Sequence, residues 1–61
     1  MNNELVAIMA LIAAANARIA GMQAKNYERQ QSNYALAYDE DDFFTEAHHL
    51  ELLAISARNS I

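Results

Sequence analysis

The stretch Leu5–Met22, LVAIMALIAAANARIAGM, decides how this chain must fold. Ala dominates it, and Ala, Leu and Met are strong helix formers. Leu5, Ile8, Ile12, Ala15, Ile19 and Met22 recur at alternating steps of three and four. That spacing stacks them on one stripe of a helix, and Met9 widens the stripe. A seven-residue rhythm persists for about three heptads, as in a coiled-coil seam. The far side carries Val6, Ala10, Ala13, Ala17, Ala20 and Ala24, small enough to let another helix come close.

A membrane span requires roughly 20 apolar residues. The unbroken run from Leu5 to Ala15 is about half that, and Asn16 and Arg18 then interrupt it. A signal peptide starts with basic residues, whereas this chain opens Met-Asn-Asn-Glu. The stretch therefore reads as a packing helix, with no membrane partner.

The chain has 61 residues, enough for a single helical domain over 1–61. A domain of that size buries only about 60% of its unfolded surface and is marginal alone. The usual remedies are disulfides, a metal or a second subunit. With no Cys, disulfides and thiolate zinc sites are excluded. Self-association is the remedy left, and the same lack of Cys points to the cytoplasm. Net charge is −4, which argues against nucleic-acid binding through phosphate contacts. No Pro and one Gly suit an all-α chain, since turns and strands normally require both.

Working outward, Asn2 or Asn3 can cap the first helix, with Glu4 in its first turn. A lone Gly inside a helix is tolerated, and the stripe passes Gly21 in register. The first helix is therefore expected over about 3–38, roughly 50 Å long. Beyond Met22 the apolar residues shift to a second stripe, Tyr27, Tyr34 and Tyr38. The run Asp39, Glu40, Asp41 and Asp42 reads as the turn, with Asp41 or Asp42 capping a second helix over about 43–59. Phe43, Ala47, Leu50, Ala54 and Ala57 line one side of that helix, with Leu53 beside them.

A short connection makes the two helices antiparallel neighbours. A second helix of about 17 residues reaches back only over about residues 23–39 of the first. The expected hairpin core is then Tyr27, Tyr34 and Tyr38 against Phe43, Ala47, Leu50, Leu53 and Ala54. Leu5, Ile8, Met9, Ile12, Ala15, Ile19 and Met22 are left for a partner chain. A twofold dimer closing a four-helix bundle is the simplest arrangement. The rival is a three-helix monomer that turns at Gly21.

Few residues suggest chemistry. Glu46 and His49 form Glu-x-x-His, which resembles the ligand motif of ferritin-like di-iron carboxylate proteins; that resemblance implies further Glu ligands, here Glu28 or Glu4. Read from the residues alone, Glu46 and His49 are helix-surface side chains, and no metal or other cofactor is expected. His48 or His49 at a subunit interface would make assembly pH-sensitive. Arg18, Lys25 and Arg29 share one side of the first helix and read as a solvated or ion-paired face. No nucleophile elbow or phosphate loop is present, and no enzyme activity is expected. The expected function is a small acidic interaction module: an obligate homo-oligomer that serves as adaptor, inhibitor or accessory regulator, of the kind common among phages and mobile elements. It would bind itself and, through the acidic tip Asp39–Asp42, another protein. The alternatives are a structural assembly subunit and, last, a di-metal bundle.

Overall fold

The computed structural model describes residues 2–60. They form two helices, α1 (Asn3–Gln31) and α2 (Glu40–Asn59), folded back on each other as an antiparallel hairpin. α1 runs through Gly21 without a break, so the three-helix arrangement is not the one adopted. Asn2 caps α1: its Oδ1 accepts the Leu5 N–H at 2.6 Å, in the manner expected of Asn before a helix.

The largest departure from the sequence reading is where α1 ends. It stops at Gln31 and not near Tyr38. The stop is a Schellman turn. Asn33 takes a left-handed conformation with φ 62°. Its N–H bonds to the Gln30 carbonyl, and the Tyr34 N–H reaches back to the Arg29 carbonyl at 2.9 Å. Asn tolerates this conformation better than most residues because its short amide can satisfy the backbone locally. The Tyr34 ring then packs over the Arg29 guanidinium, 5.5 Å from the ring centre.

Residues 32–39 form an irregular loop tied down by α1. Asn26 grips Tyr38 by both backbone polar groups, donating to its carbonyl at 2.8 Å and accepting its N–H at 2.9 Å. Arg29 Nε donates to the Ala35 carbonyl at 2.6 Å. α2 begins three residues earlier than the sequence suggested, because Asp39 and not Asp41 or Asp42 is its cap. The Asp42 N–H donates to Asp39 Oδ1 at 3.1 Å, and the Asp39 N–H donates to Asp42 Oδ2 at 2.9 Å. This reciprocal capping box satisfies two N–H groups that the helix start would otherwise leave open.

With α1 at 29 residues and α2 at 20, the length mismatch narrows, and the loop covers the last turns of α1. α2 lies along α1 from Asn26 back to Asn2, whose Nδ2 donates to the Ser60 carbonyl at 3.2 Å. The seam between the helices is the Leu5–Met22 stripe itself. Ile8 and Ala15 are buried, and Leu5, Ile12, Ile19 and Met22 half-buried, facing buried Leu53 and half-buried Phe43, Leu50 and Ala57. The tyrosines do not form the hairpin core. Tyr27 and Tyr34 are each 65% exposed, Tyr38 is also exposed, and Ala47 and Ala54 lie outside the seam. The physical reason is the early helix stop: α1 ends about two turns sooner and the chain folds back at once, which slides α2 by about five turns along α1, from the tyrosine stripe onto the more apolar one.

Candidate interaction surfaces

The seam keeps heptad order on both helices. On α1, Leu5, Ile12, Ile19 and Asn26 alternate with Ile8, Ala15, Met22 and Arg29; on α2, Phe43, Leu50 and Ala57 alternate with Glu46, Leu53 and Ser60. In an antiparallel pair, like edges come together. One edge collects Glu4, Leu11, Arg18 and Lys25 from α1 with Asp42, His49 and Ser56 from α2. The other collects Met9, Asn16, Gln23 and Gln30 with Glu40, Ala47 and Ala54. All are exposed in the hairpin.

The two edges differ in chemistry. The first is charged and carries the one ion pair that joins the helices. Arg18 grips Glu46 with two parallel bonds, Nε to Oε1 at 3.0 Å and Nη2 to Oε2 at 3.1 Å. Those bonds hold the Glu46 carboxyl below its ordinary pKa, against a smaller opposing effect of desolvation. Lys25 sits 3.7 Å from Glu28 one turn on. The basic side chains Arg18, Lys25 and Arg29 are thus each engaged within the chain. The second edge carries no charge on its α1 side, and neither do the residues next round the helix, Val6, Ala13, Ala20 and Tyr27.

The acidic run divides by role. Asp39 and Asp42 are consumed by the capping box, while Glu40 and Asp41 are exposed in the first turn of α2. Tyr34, Leu36 and Phe44 are also exposed around this end. The tip therefore combines free carboxylates with aromatic and apolar side chains on a loop pinned by Asn26 and Arg29. The wider charge is lopsided: α1 carries three cations and two acids, α2 one cation and five acids.

The Glu46–His49 pair is not assembled for a metal. Both Glu46 oxygens are taken by Arg18, and no group of three or more His, Cys, Asp and Glu side chains comes together among the described residues. His48 lies 3.8 Å from Glu51, both exposed, and His49 is exposed on the charged edge. The described residues enclose no pocket. α1 is long and apolar enough to cross a membrane by length and composition, a test that core helices of soluble proteins also pass.

Sequence reasoning missed the clamp residues Asn26 and Arg29 and the stop at Asn33. The signal was present: Asn26 and Arg29 continue the heptad stripe as polar residues, and Ser32-Asn33 is a composition suited to a helix C-terminus. Among known proteins, no family model, no curated protein and no solved structure matches this chain.

Proposed function

We propose that this chain is a small acidic protein-interaction module that works as an obligate homo-oligomer, serving as an adaptor, inhibitor or accessory regulator. One observation carries the reading: the hairpin is a single layer with almost no interior. Its Cα extents are 47 × 18 × 8 Å, and only Ile8, Ala15 and Leu53 are buried hydrophobics among the described residues. Domains are normally built from at least two packed layers. The exposed area is 4656 Å², whereas a compact monomer of this mass exposes about 4,000 Å². In this reading another copy of the chain supplies the second layer. A four-helix bundle made of two hairpins supplies it, and that architecture belongs to this proposal.

The tip is the surface for a different protein. Glu40 and Asp41 are free of the capping box, and Tyr34 and Leu36 stand on a pinned loop, so little ordering cost attends their contacts. A basic partner suits them. The same reading keeps the chain soluble and cytoplasmic, since the most apolar stripe of α1 is covered by α2 and not left for lipid.

Light scattering after size exclusion tests the oligomer, and a dimer or tetramer is expected. Masses running to large assemblies would favour a structural subunit instead, and a monomer would end the reading. For the tip, capture of a partner by tagged protein should fail for Glu40→Gln/Asp41→Asn, a variant that leaves both capping carboxylates intact.

A further inference from the structure

We infer that the less charged edge of the hairpin, centred on Met9 and Ala54, is the seat of a second copy of this chain. The inference rests on the homo-oligomer reading and deepens it by naming the face and the partner.

Area is the first support. The hairpin exposes about 700 Å² more than a compact monomer of its mass. A stable interface takes about 800 Å² from each partner. The surplus is thus close to what one further copy would cover, and far short of what two such faces would need.

Charge selects the edge. A twofold dimer presents the same patch to itself, so whatever is charged on that patch meets its own kind and loses water. On the charged edge this would desolvate Arg18, Glu46, Lys25 and Asp42, at a cost that ion pairing rarely recovers. On the opposite edge, Met9, Asn16, Gln23, Ala47 and Ala54 bring no charge to the interface, and the one carboxylate there, Glu40, lies at the tip end, level with uncharged Gln23. The amide side chains there can hydrogen-bond across it.

Shape selects the orientation. Arg18 lies level with Glu46, and Asn2 with Ser60, which sets Met9 level with about Ala54 and Asn16 with about Ala47. Each pair is a long side chain beside a short one. With the twofold axis parallel to the helices, α1 of each copy lies over α2 of the other. Met9 of one copy then fills the gap above Ala54 of its partner, large against small.

Met9 and Leu11 make a matched pair for the test. They are two residues apart on α1, 52% and 51% exposed in the single hairpin, on opposite edges. Solution mass and circular dichroism would be measured against concentration for wild type, Met9→Asp, Ala54→Glu and Leu11→Asp. A dimeric wild type is expected, with Leu11→Asp folded and dimeric within a few-fold of it. Met9→Asp and Ala54→Glu should raise the dissociation constant roughly a hundredfold or more, because each buries unpaired charges. If these two unfold on dissociating, a folded, dimeric Leu11→Asp still assigns the edge, since the single hairpin exposes Met9 and Leu11 alike. A dimer that survives Met9→Asp and Ala54→Glu, or that Leu11→Asp disrupts as severely, overturns the assignment and leaves the homo-oligomer reading standing. A monomeric wild type overturns both.

Discussion

Asn26 holds Tyr38 by both backbone polar groups, its amide nitrogen donating to the carbonyl and its amide oxygen accepting the N–H. The twelve-residue separation is bridged by one side chain that sits where the heptad seam would otherwise continue as an apolar residue. Asn26 therefore ends the seam and fixes the loop in the same contact, and the loop in turn sets where Asp39 can cap α2. Asn26→Ala removes both bonds and is expected to cost about 1–3 kcal/mol, at roughly 0.5–1.5 kcal/mol for each. Asn26→Asp keeps the acceptor and loses the donor, so it should fall between. Urea midpoints would show that order; an Asn26→Ala midpoint equal to wild type would mean that the clamp does not hold the loop.

Gly21 lies in mid-helix with open space around it: a Cβ built there meets nothing within 4 Å. Gly costs about 1 kcal/mol against Ala inside a helix. Gly21→Ala should stabilise the protein by about that much and raise Tm by roughly 5 °C for a chain of this size. A three-helix chain turning at Gly21 would respond in the opposite direction, so a fall in Tm would reject the continuous α1.

The Arg18–Glu46 pair makes part of the stability depend on pH. Arg18 hydrogen bonding lowers the Glu46 pKa in the folded protein. The sign follows from linkage: a depressed carboxyl contributes stability above its unfolded pKa, ordinarily about 4.3, and loses it as pH falls through the lower folded value. Glu46→Gln should therefore have a lower Tm than wild type at neutral pH, with the gap closing below about pH 4. Salt should narrow the gap too, because half of the Arg18 side chain is exposed. A gap of constant size from neutral to acid pH would show that charge contributes nothing to the pair.

The four acids of the tip should separate cleanly by role. Asp39→Ala removes the N-cap and is expected to cost about 1 kcal/mol. Asp41→Ala takes away only a first-turn charge, worth a few tenths of a kcal/mol. Thermal melts of the two variants side by side would test this, and equal losses would mean that the capping box is not formed.

Much of this architecture is legible in the residues themselves. Helix type over Leu5–Met22 follows from Ala, Leu and Met content. The heptad stripe follows from spacing, and an Asn cap at residue 2 or 3 and the antiparallel hairpin from local chemistry and a short connection. Each depends on neighbours within a few positions, which is why it can be read without coordinates. The partner of the stripe could not be read that way. It depends on where α1 ends, and two helix ends compete there: Asn33, with a local left-handed turn, and the Asp39–Asp42 run, with a strong acidic signal. Asn26 and Arg29 decide between them by hydrogen-bonding Tyr38 and Ala35, contacts that exist only once the loop has folded back. That choice moves α2 by about five turns along α1 and converts the Leu5–Met22 stripe from a surface awaiting another chain into the seam of its own hairpin. It also sorts Asp39 and Asp42 into structural caps and leaves Glu40 and Asp41 free. Composition determines that the chain is helical, acidic and short of interior; tertiary contact decides which face the hairpin consumes and which it leaves open, because register is set by a few long-range hydrogen bonds and not by the periodicity that many registers share.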